Sequence, residues 1–554
     1  MFAKPVSSFK AAAAVALYFV LVLNLALWRF VWRELEIDGL GTLLFALSLP
    51  VCLFLLIHAV VHLLLWPYVG KAAVAALIVL SAVANYYMFN LNVFIDLAMI
   101  RNVFATNPNE VGEMIGLDGV LWVALTGVLP AALLCLVRID YRPPLRELGG
   151  KALAAVSCLA VVGVLGLAFF KDFSATARNN KMVEHLINPS NYLNCTYRYA
   201  KRLNRQKQAF TVVDPDPRLL QGDGEPYKVL VLVVGETARS MNFSLNGYER
   251  NTNPRLGAQD VASYRNVTAS GTLTAFSVPC MFSHLPRERF DVEKSYYQEN
   301  LLDILEKAGY DILWLDNGVG SKGVSQRVAT VNLKPEDYPE YRSGDYLYDG
   351  VFIKLLEDAL ARVKTNTVIV IHMIGSHGPS YHMRFPGEFA AFTPSCDTVD
   401  IQKRPREEIV NVYDNTIVYT DYVLSGCIDV LKKDRRHESA MLYVSDHGES
   451  LGENGLYLHG FPYAFAPDEQ TRVPMILWLS DSLKETPQGY DFESIKADAR
   501  VAEASHDNYF HTVLGMAEVD SGVYDGSLDL LSRHRKVGLT RSRGVAGGRS
   551  RPTF

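Results

Sequence analysis

The apolar positions fall into two regimes along the chain. In the first third they form five nearly continuous runs, at about 11–32, 40–65, 70–93, 119–137 and 151–170, broken by short polar connections. Each run has the roughly 20 residues needed to cross a hydrocarbon core about 30 Å thick, so five membrane-spanning helices are expected. Beyond about residue 222 the pattern changes to short strand-like runs at 228–234, 310–316, 366–374, 440–445 and 472–479. Helical stretches at 299–308, 347–363 and 408–433 fall between them. That alternation predicts an α/β domain with a mostly parallel central sheet covered by helices.

Between the regimes, 172–221 is polar and basic and reads as a linker with interfacial helices. Asp214-Pro-Asp-Pro217 and Gly222-Asp-Gly224 close it. The expected organisation is therefore 1–171 membrane, 172–221 linker and 222–531 catalytic domain. The remainder, 532–554, is a tail rich in Gly, Ser and Arg, expected to be disordered. The tail's seven basic residues from Arg533 to Arg551 are read as solvated rather than lipid-bound.

Length and composition agree with this division. The chain has 554 residues and a positive mean hydropathy, too long for one ordinary domain and too apolar for a wholly soluble one. Connections assigned to the inner side carry Lys4, Lys10, Lys71, Arg138, Arg142, Arg146 and Lys151, against Arg29, Arg33 and Arg101 outside. This bias orients the N-terminus inside, so everything after Lys171 lies across the membrane, in the periplasm of a two-membrane cell. The loop at about 94–118 lies on that same side. The first run has no small-residue cleavage site before the next and reads as an anchor. Of seven cysteines, Cys52, Cys135 and Cys158 fall in spans; Cys195, Cys280, Cys396 and Cys427 are widely spaced, and no disulfide is assigned.

The chemistry is expected at strand ends. Tyr227 to Gly235 is an apolar run that stops on Glu236, and Met441 to Ser445 stops on Asp446 and His447. In a parallel sheet these residues sit at the C-terminal mouths of their strands, where such sheets place ligands. Gly271-Thr-Leu-Thr274 puts a hydroxyl just before an apolar segment that reads as a helix, facing free backbone N–H groups suited to a phosphate. Glu236, Asp446 and His447 are zinc-ligand types, and Thr274 fits a fourth position, where the metal would activate an otherwise poor nucleophile. Taken singly, each carboxylate reads equally well as a helix cap or turn residue. His372, inside the run 368–374, reads as a core histidine.

Several motifs together closely resemble the membrane-anchored phosphoethanolamine transferases of the alkaline phosphatase-like superfamily, especially those that modify lipid A and confer polymyxin resistance. The matches are Val-Gly-Glu236-Thr-Ala-Arg239, Ser-Leu-Asn-Gly-Tyr248, Gly-Thr-Leu-Thr274-Ala-Phe-Ser-Val-Pro-Cys-Met-Phe282, Ile-Gly-Ser-His377-Gly-Pro379, Ser-Asp446-His447-Gly-Glu-Ser-Leu-Gly-Glu-Asn454 and Tyr-Leu-His459. The resemblance implies Thr274 as nucleophile and zinc held by Glu236, Thr274, Asp446 and His447. It also implies His377 and His459 at a second zinc or protonating the leaving group, and Lys322 near the phosphate. Asn102, Thr106 and Glu110 match positions that hold the lipid headgroup, although Asn107-Pro-Asn-Glu110 also reads as a helix cap. Phosphatidylethanolamine as donor, lipid A as acceptor, a monomeric enzyme and no nucleic-acid partner follow from the same resemblance.

One departure stands out. Relatives carry cysteines where this chain has Ser270, Ser321, Ser325 and Arg404, so Cys280 and Cys396 lack family-like partners. Alternatives remain open at this point. A sulfatase is disfavoured because Met281 occupies the arginine position of its motif. A phosphoethanolamine transferase acting on another envelope glycan, or a phosphoglycerol transferase using a phosphatidylglycerol donor, is the alternative, whereas an inactive scaffold should have lost a ligand that this chain retains.

Overall fold

The computed structural model describes residues 5–537 apart from 36, 38, 91–94, 98, 101–116, 180, 206–208, 223, 345 and 400. Asn102, Thr106, Glu110 and most of the expected tail, from 538 on, therefore lie outside the described residues. The chain divides between residues 207 and 208 into two compact units.

In the first unit, four helices are long and apolar enough to cross a membrane: Leu40–Leu64, Gly70–Asn90, Leu117–Leu136 and Pro144–Ala168. The first expected span is broken. Ser8–Leu23 and Leu25–Arg33 meet at a 55° bend, giving a fifth crossing if the pair acts as one. A bend at Asn24 frees backbone carbonyls that lipid could not satisfy, and polar side chains take them. Asn24 Nδ2 donates to Phe19 O (3.0 Å), Trp28 Nε1 to Val20 O (2.6 Å), Asn85 Nδ2 to Val22 O (3.2 Å) and Asn188 Nδ2 to Leu23 O (2.7 Å).

The fifth run begins earlier than expected, because Pro143 and Pro144 start the helix seven residues before 151 and pre-set its first turn. Lys151, counted in the sequence as an inner-loop charge, is fully buried, and its Nζ donates to His62 O and Leu65 O, both at 2.5 Å. The linker forms helices Phe170–Asn179 and Ser190–Arg205, which belong to this unit.

The second unit is built on eight strands: β1 Lys228–Gly235, β2 Ala262–Thr268, β3 Asp311–Asp316, β4 Ala329–Asn332, β5 Thr367–His372, β6 Glu438–Ser445, β7 Arg472–Leu479 and β8 Glu503–Ser505. Their order across the sheet is β8-β2-β7-β6-β1-β5-β3-β4. Only β7 runs against its neighbours β6 and β2; every other pairing is parallel. Residues of β1 alternate between two cores. Val229, Val231 and Val233 pack with the long helix Arg406–Lys433 and with Val351–Leu360, whereas Leu230, Leu232 and Val234 pack with Leu301–Lys307 and Asp507–Met516. Burial on both faces is why these strands read as unbroken apolar runs.

Strand β2, Ala262-Ser-Tyr-Arg-Asn-Val-Thr268, was not expected. Its outward Arg265 and partly covered Ser263 and Asn266 hide the strand from a search for apolar runs. The boundary expected at 531 also falls short. Arg535 pairs with Glu518 (2.9 Å) and stacks on Tyr490, and Lys536 N donates to Gly489 O (3.0 Å). Residues 532–537 are thus part of the folded unit, because a buried carboxylate and a tyrosine ring receive them.

Candidate active site

Strands β1 and β6 are adjacent and parallel, with Gly235 directly opposite Ser445. That register brings the next residues of each, Glu236 and Asp446, out side by side at the same edge of the sheet. Asp446 N donates to Gly235 O (3.0 Å), extending the ladder one step further. The chain then turns sharply at Thr237, whose φ of +54° is a left-handed conformation rarely adopted by a β-branched residue. The loop after β5 closes over the turn. Gly375, at φ +51°, passes so near that a Cβ there would lie 2.7 Å from Glu236 O.

Thr274 is the first residue of helix Thr274–Met281, and its hydroxyl points into this junction. Its Oγ1 lies 3.1 and 3.3 Å from the two Glu236 oxygens and 3.3 Å from His447 Nε2. His447 Nε2 is in turn 3.5 Å from Glu236 Oε1 and 3.2 Å from Asp446 Oδ2. Glu236, Asp446 and His447 are all fully buried.

The hydrogen-bond pattern around these three fits a cation. His447 Nδ1 lies 3.0 Å from Gly448 O and must donate to it, so Nε2 presents a lone pair. Asp446 Oδ1 accepts from Thr237 N (3.1 Å) and His447 N (2.8 Å), while Oδ2 has no hydrogen-bond partner. Two carboxyl groups and an imidazole lone pair converge beside the Thr274 hydroxyl, and the ligand atoms of Glu236, Asp446 and His447 lie within 4.8 Å of one another. Burial, with the Asp446 charge beside it, pushes the Glu236 carboxyl well above its usual range. Such a donor set suits a divalent ion of the zinc class.

His459 stands behind His447, their rings 4.3 Å apart, with Nδ1 3.4 Å from the buried Glu449 carboxylate. His377 is the next ring outward, 5.8 Å from His459, so the two histidines expected at the site flank it together. Lys322 occupies a left-handed position (φ +51°) in the loop after β3, and its Nζ donates to Val319 O (2.5 Å). It makes no direct contact with the triad, but its charge opposes the rise at Glu236. His372 is buried and pairs with Asp316 (2.9 Å), as befits a core residue.

The serines standing where the resemblance implies cysteines find other partners. Ser325 Oγ donates to Ser321 Oγ (2.9 Å) beside Lys322, and Ser270 approaches His506 Nδ1 through both N (3.1 Å) and Oγ (3.2 Å). All seven cysteines are free. Burial pushes the Cys280 thiol up to about 12, which makes it inert.

Three supporting residues were missed in the sequence. Arg239 is buried and ties the two strand-end motifs together, donating to Glu453 Oε1 (2.8 Å) and Glu449 O (3.2 Å) and bonding Asn242. Asp349 accepts from the backbone N–H of Ile374 (3.0 Å) and Gly375 (2.8 Å), holding the loop that carries His377. His506 bridges two site loops. Arg239 had a signal, since it lies in a matched motif; Asp349 and His506 act across long sequence separations that no local pattern marks.

The chain is similar to known proteins along nearly its whole length. The sulfatase family model matches residues 228–519, and the model described as phosphoethanolamine transferase EptA/EptB matches 53–203. The chain is 37% identical to phosphoethanolamine transferase EptA of Salmonella typhimurium, over 94% of this chain and 96% of that protein. It is 34% identical to phosphatidylethanolamine transferase Mcr-1 of Escherichia coli, over 88% and 92%. Its fold matches the integral membrane lipooligosaccharide phosphoethanolamine transferase A of Neisseria meningitidis with a TM-score of 0.65 and 36% identity, over 96% of this chain and all of that one. A membrane unit of apolar helices, a sulfatase-like domain and similarity along nearly its whole length show that the chain belongs to the phosphoethanolamine transferase family.

Proposed function

We propose that this protein transfers phosphoethanolamine from phosphatidylethanolamine to a phosphate of lipid A through a phosphoethanolamine-Thr274 intermediate, on the periplasmic side of the inner membrane. The observation that carries the reading is the position of Thr274 Oγ1, 3.1 Å from Glu236 Oε2 and 3.3 Å from His447 Nε2, beside the converging ligand atoms of Glu236, Asp446 and His447. Zinc held by Glu236, Asp446, His447 and Thr274 would favour the alkoxide form of the hydroxyl and neutralise charge on the phosphoryl oxygens.

The chain's own groups supply the rest. Thr274 Oγ1 attacks phosphorus as its proton passes toward Glu236, 3.1 Å away. The P–O bond to diacylglycerol breaks, and the departing oxygen takes a proton from the His377 and His459 side of the site. An oxygen of the acceptor phosphate then attacks the same phosphorus and Thr274 leaves, recovering its proton. Backbone N–H groups at the start of the Thr274 helix favour the negative phosphoryl oxygens throughout.

The acceptor reading is supported by the relative from Neisseria, named for transfer to lipooligosaccharide. Adding an ammonium group to lipid A would reduce its negative charge and weaken its attraction for cationic peptides such as polymyxins. The test is peptide mass spectrometry of purified protein incubated with phosphatidylethanolamine. Phosphoethanolamine is expected on Thr274; its appearance only on another residue, or nowhere, would overturn the reading.

A further inference from the structure

We propose that His506 is a positioning residue that fixes the nucleophile loop against the metal-ligand loop by bridging the backbone of Ser270 to that of Ser445. Ser270 lies four residues before Thr274, and Ser445 immediately precedes Asp446 and His447. The inference rests on the transfer reading above and adds to it a residue outside the reacting groups.

The geometry allows one arrangement of protons. Ser270 N–H can only donate, so His506 Nδ1, 3.1 Å away, accepts. Ser445 O can only accept, so Nε2, 3.0 Å away, carries the proton and donates. Both bonds are made by one neutral, fully oriented imidazole that is 1% exposed. A doubly protonated ring would set N–H against N–H at Ser270, and a buried donor left without its acceptor is costly. The backbone of His506 is itself anchored, since its N donates to Thr268 O (3.1 Å), continuing the β8–β2 pairing.

The neighbouring residue completes the clamp. Asp507 Oδ1 accepts from Arg287 N (2.8 Å), and Arg287 Nε donates to Ser270 O (2.7 Å) while its guanidinium lies 3.5 Å over the Tyr463 ring. The peptide of Ser270 is thus gripped on its N–H side by His506 and on its carbonyl side through Asp507 and Arg287. On the far side, Ser445 Oγ donates to His447 O (3.1 Å) and accepts from Ala238 N (2.8 Å), so a shift of Ser445 would carry both strand-end loops with it. Thr274 Oγ1 stands 3.1 to 3.3 Å from its neighbours, where a displacement of about 1 Å costs about 100-fold in rate.

The test uses the full chain in detergent with a fluorescent-tail phosphatidylethanolamine as donor and lipid A as acceptor, following release of labelled diacylglycerol over many turnovers, with Thr274→Ala as control. His506→Ala is expected to lower kcat by about 10- to 100-fold, with KM within about twofold of wild type. His506→Asn, which can still accept from Ser270 N–H, and His506→Gln, which can still donate to Ser445 O, should each recover part of the rate at unchanged melting temperature. A His506→Ala enzyme with wild-type kcat overturns the proposal. So does a rate loss that follows melting temperature across all three variants. If His506→Ala does not fold, the Asn and Gln variants decide: wild-type kcat in both overturns the bridge, and a lowered kcat at unchanged melting temperature upholds it. A wild-type protein that releases no diacylglycerol, like Thr274→Ala, fails the transfer reading and this inference together; an active wild type beside a fully active His506→Ala fails this inference alone.

Discussion

Strands β1 and β6 run side by side for eight residues, and their two ends handle buried charge in opposite ways. At the N-terminal end Lys228 and Glu438 are cross-strand partners, 2.6 Å apart, with Glu518 3.4 Å from Lys228 and Arg535 on Glu518. Two cations meet two carboxylates, and the charge cancels. At the C-terminal end Glu236 and Asp446 emerge together with His447, and among the described residues no Lys or Arg pairs with either carboxylate. A balanced cluster locks a fold; an unbalanced one leaves a buried negative site for a cation to complete. The contrast separates the residues that build the sheet from those that use it.

Substitutions at the unbalanced end should cost the most activity. Thr274→Ala should abolish transfer, by at least about 1,000-fold, with the melting temperature of the protein little changed, as measured by lipid product and calorimetry together. Asp446→Asn or exhaustive chelation should lower activity by about 100-fold or more, and zinc should restore the chelated wild type but not the variant. Glu236→Gln sharpens the sign. Because burial and Asp446 raise the Glu236 pKa, the metal-free fold binds its proton more tightly than the unfolded chain does, and that stability is lost as pH rises. Metal-free Glu236→Gln should therefore melt higher than metal-free wild type at pH 8.

At the balanced end the sign reverses. Lys228→Met leaves Glu438 without its cation and Glu518 with Arg535 alone, and should destabilise the domain by about 3–5 kcal/mol in denaturant titration, with kcat per folded molecule unchanged. A smaller effect is expected in acid. Burial lowers the His506 imidazole from 6.5 to about 4, so the unfolded chain binds a proton between those values that the folded one does not. The corresponding stability, on the order of 3 kcal/mol, is complete above about pH 6.5 and lost as pH falls toward 4. Melting temperature measured across that window should fall with acid, and His506→Asn should make the fall shallower, His511, lowered by burial to about 4 as well, keeping part of it.

Much of this was legible in the sequence because it is local. Apolar runs marked the membrane helices and the five central strands, and a carboxylate closing such a run marked Glu236 and Asp446. What the residues alone could not supply was adjacency. Nothing in either run says that β1 and β6 are neighbours in a register that sets Gly235 against Ser445, and the site depends on it. Strand β2 escaped notice because its polar face is its outer one. The bend at Asn24 was hidden by an apolar run that continues through it, its carbonyls satisfied by Asn85 and by Asn188 far along the chain. His506 and Asp349 were invisible for the same reason: each serves a loop more than 20 residues away, through backbone groups that carry no sequence signature.

On the proposed function, Thr274, set among Glu236, Asp446 and His447, moves phosphoethanolamine onto lipid A. The most direct measurement is mass spectrometry of lipid A from cells expressing the wild type and, separately, Thr274→Ala. A phosphoethanolamine increment on lipid A is expected with wild type and none with the variant at equal membrane abundance. Unmodified lipid A in both strains, or the same increment in both, would contradict it.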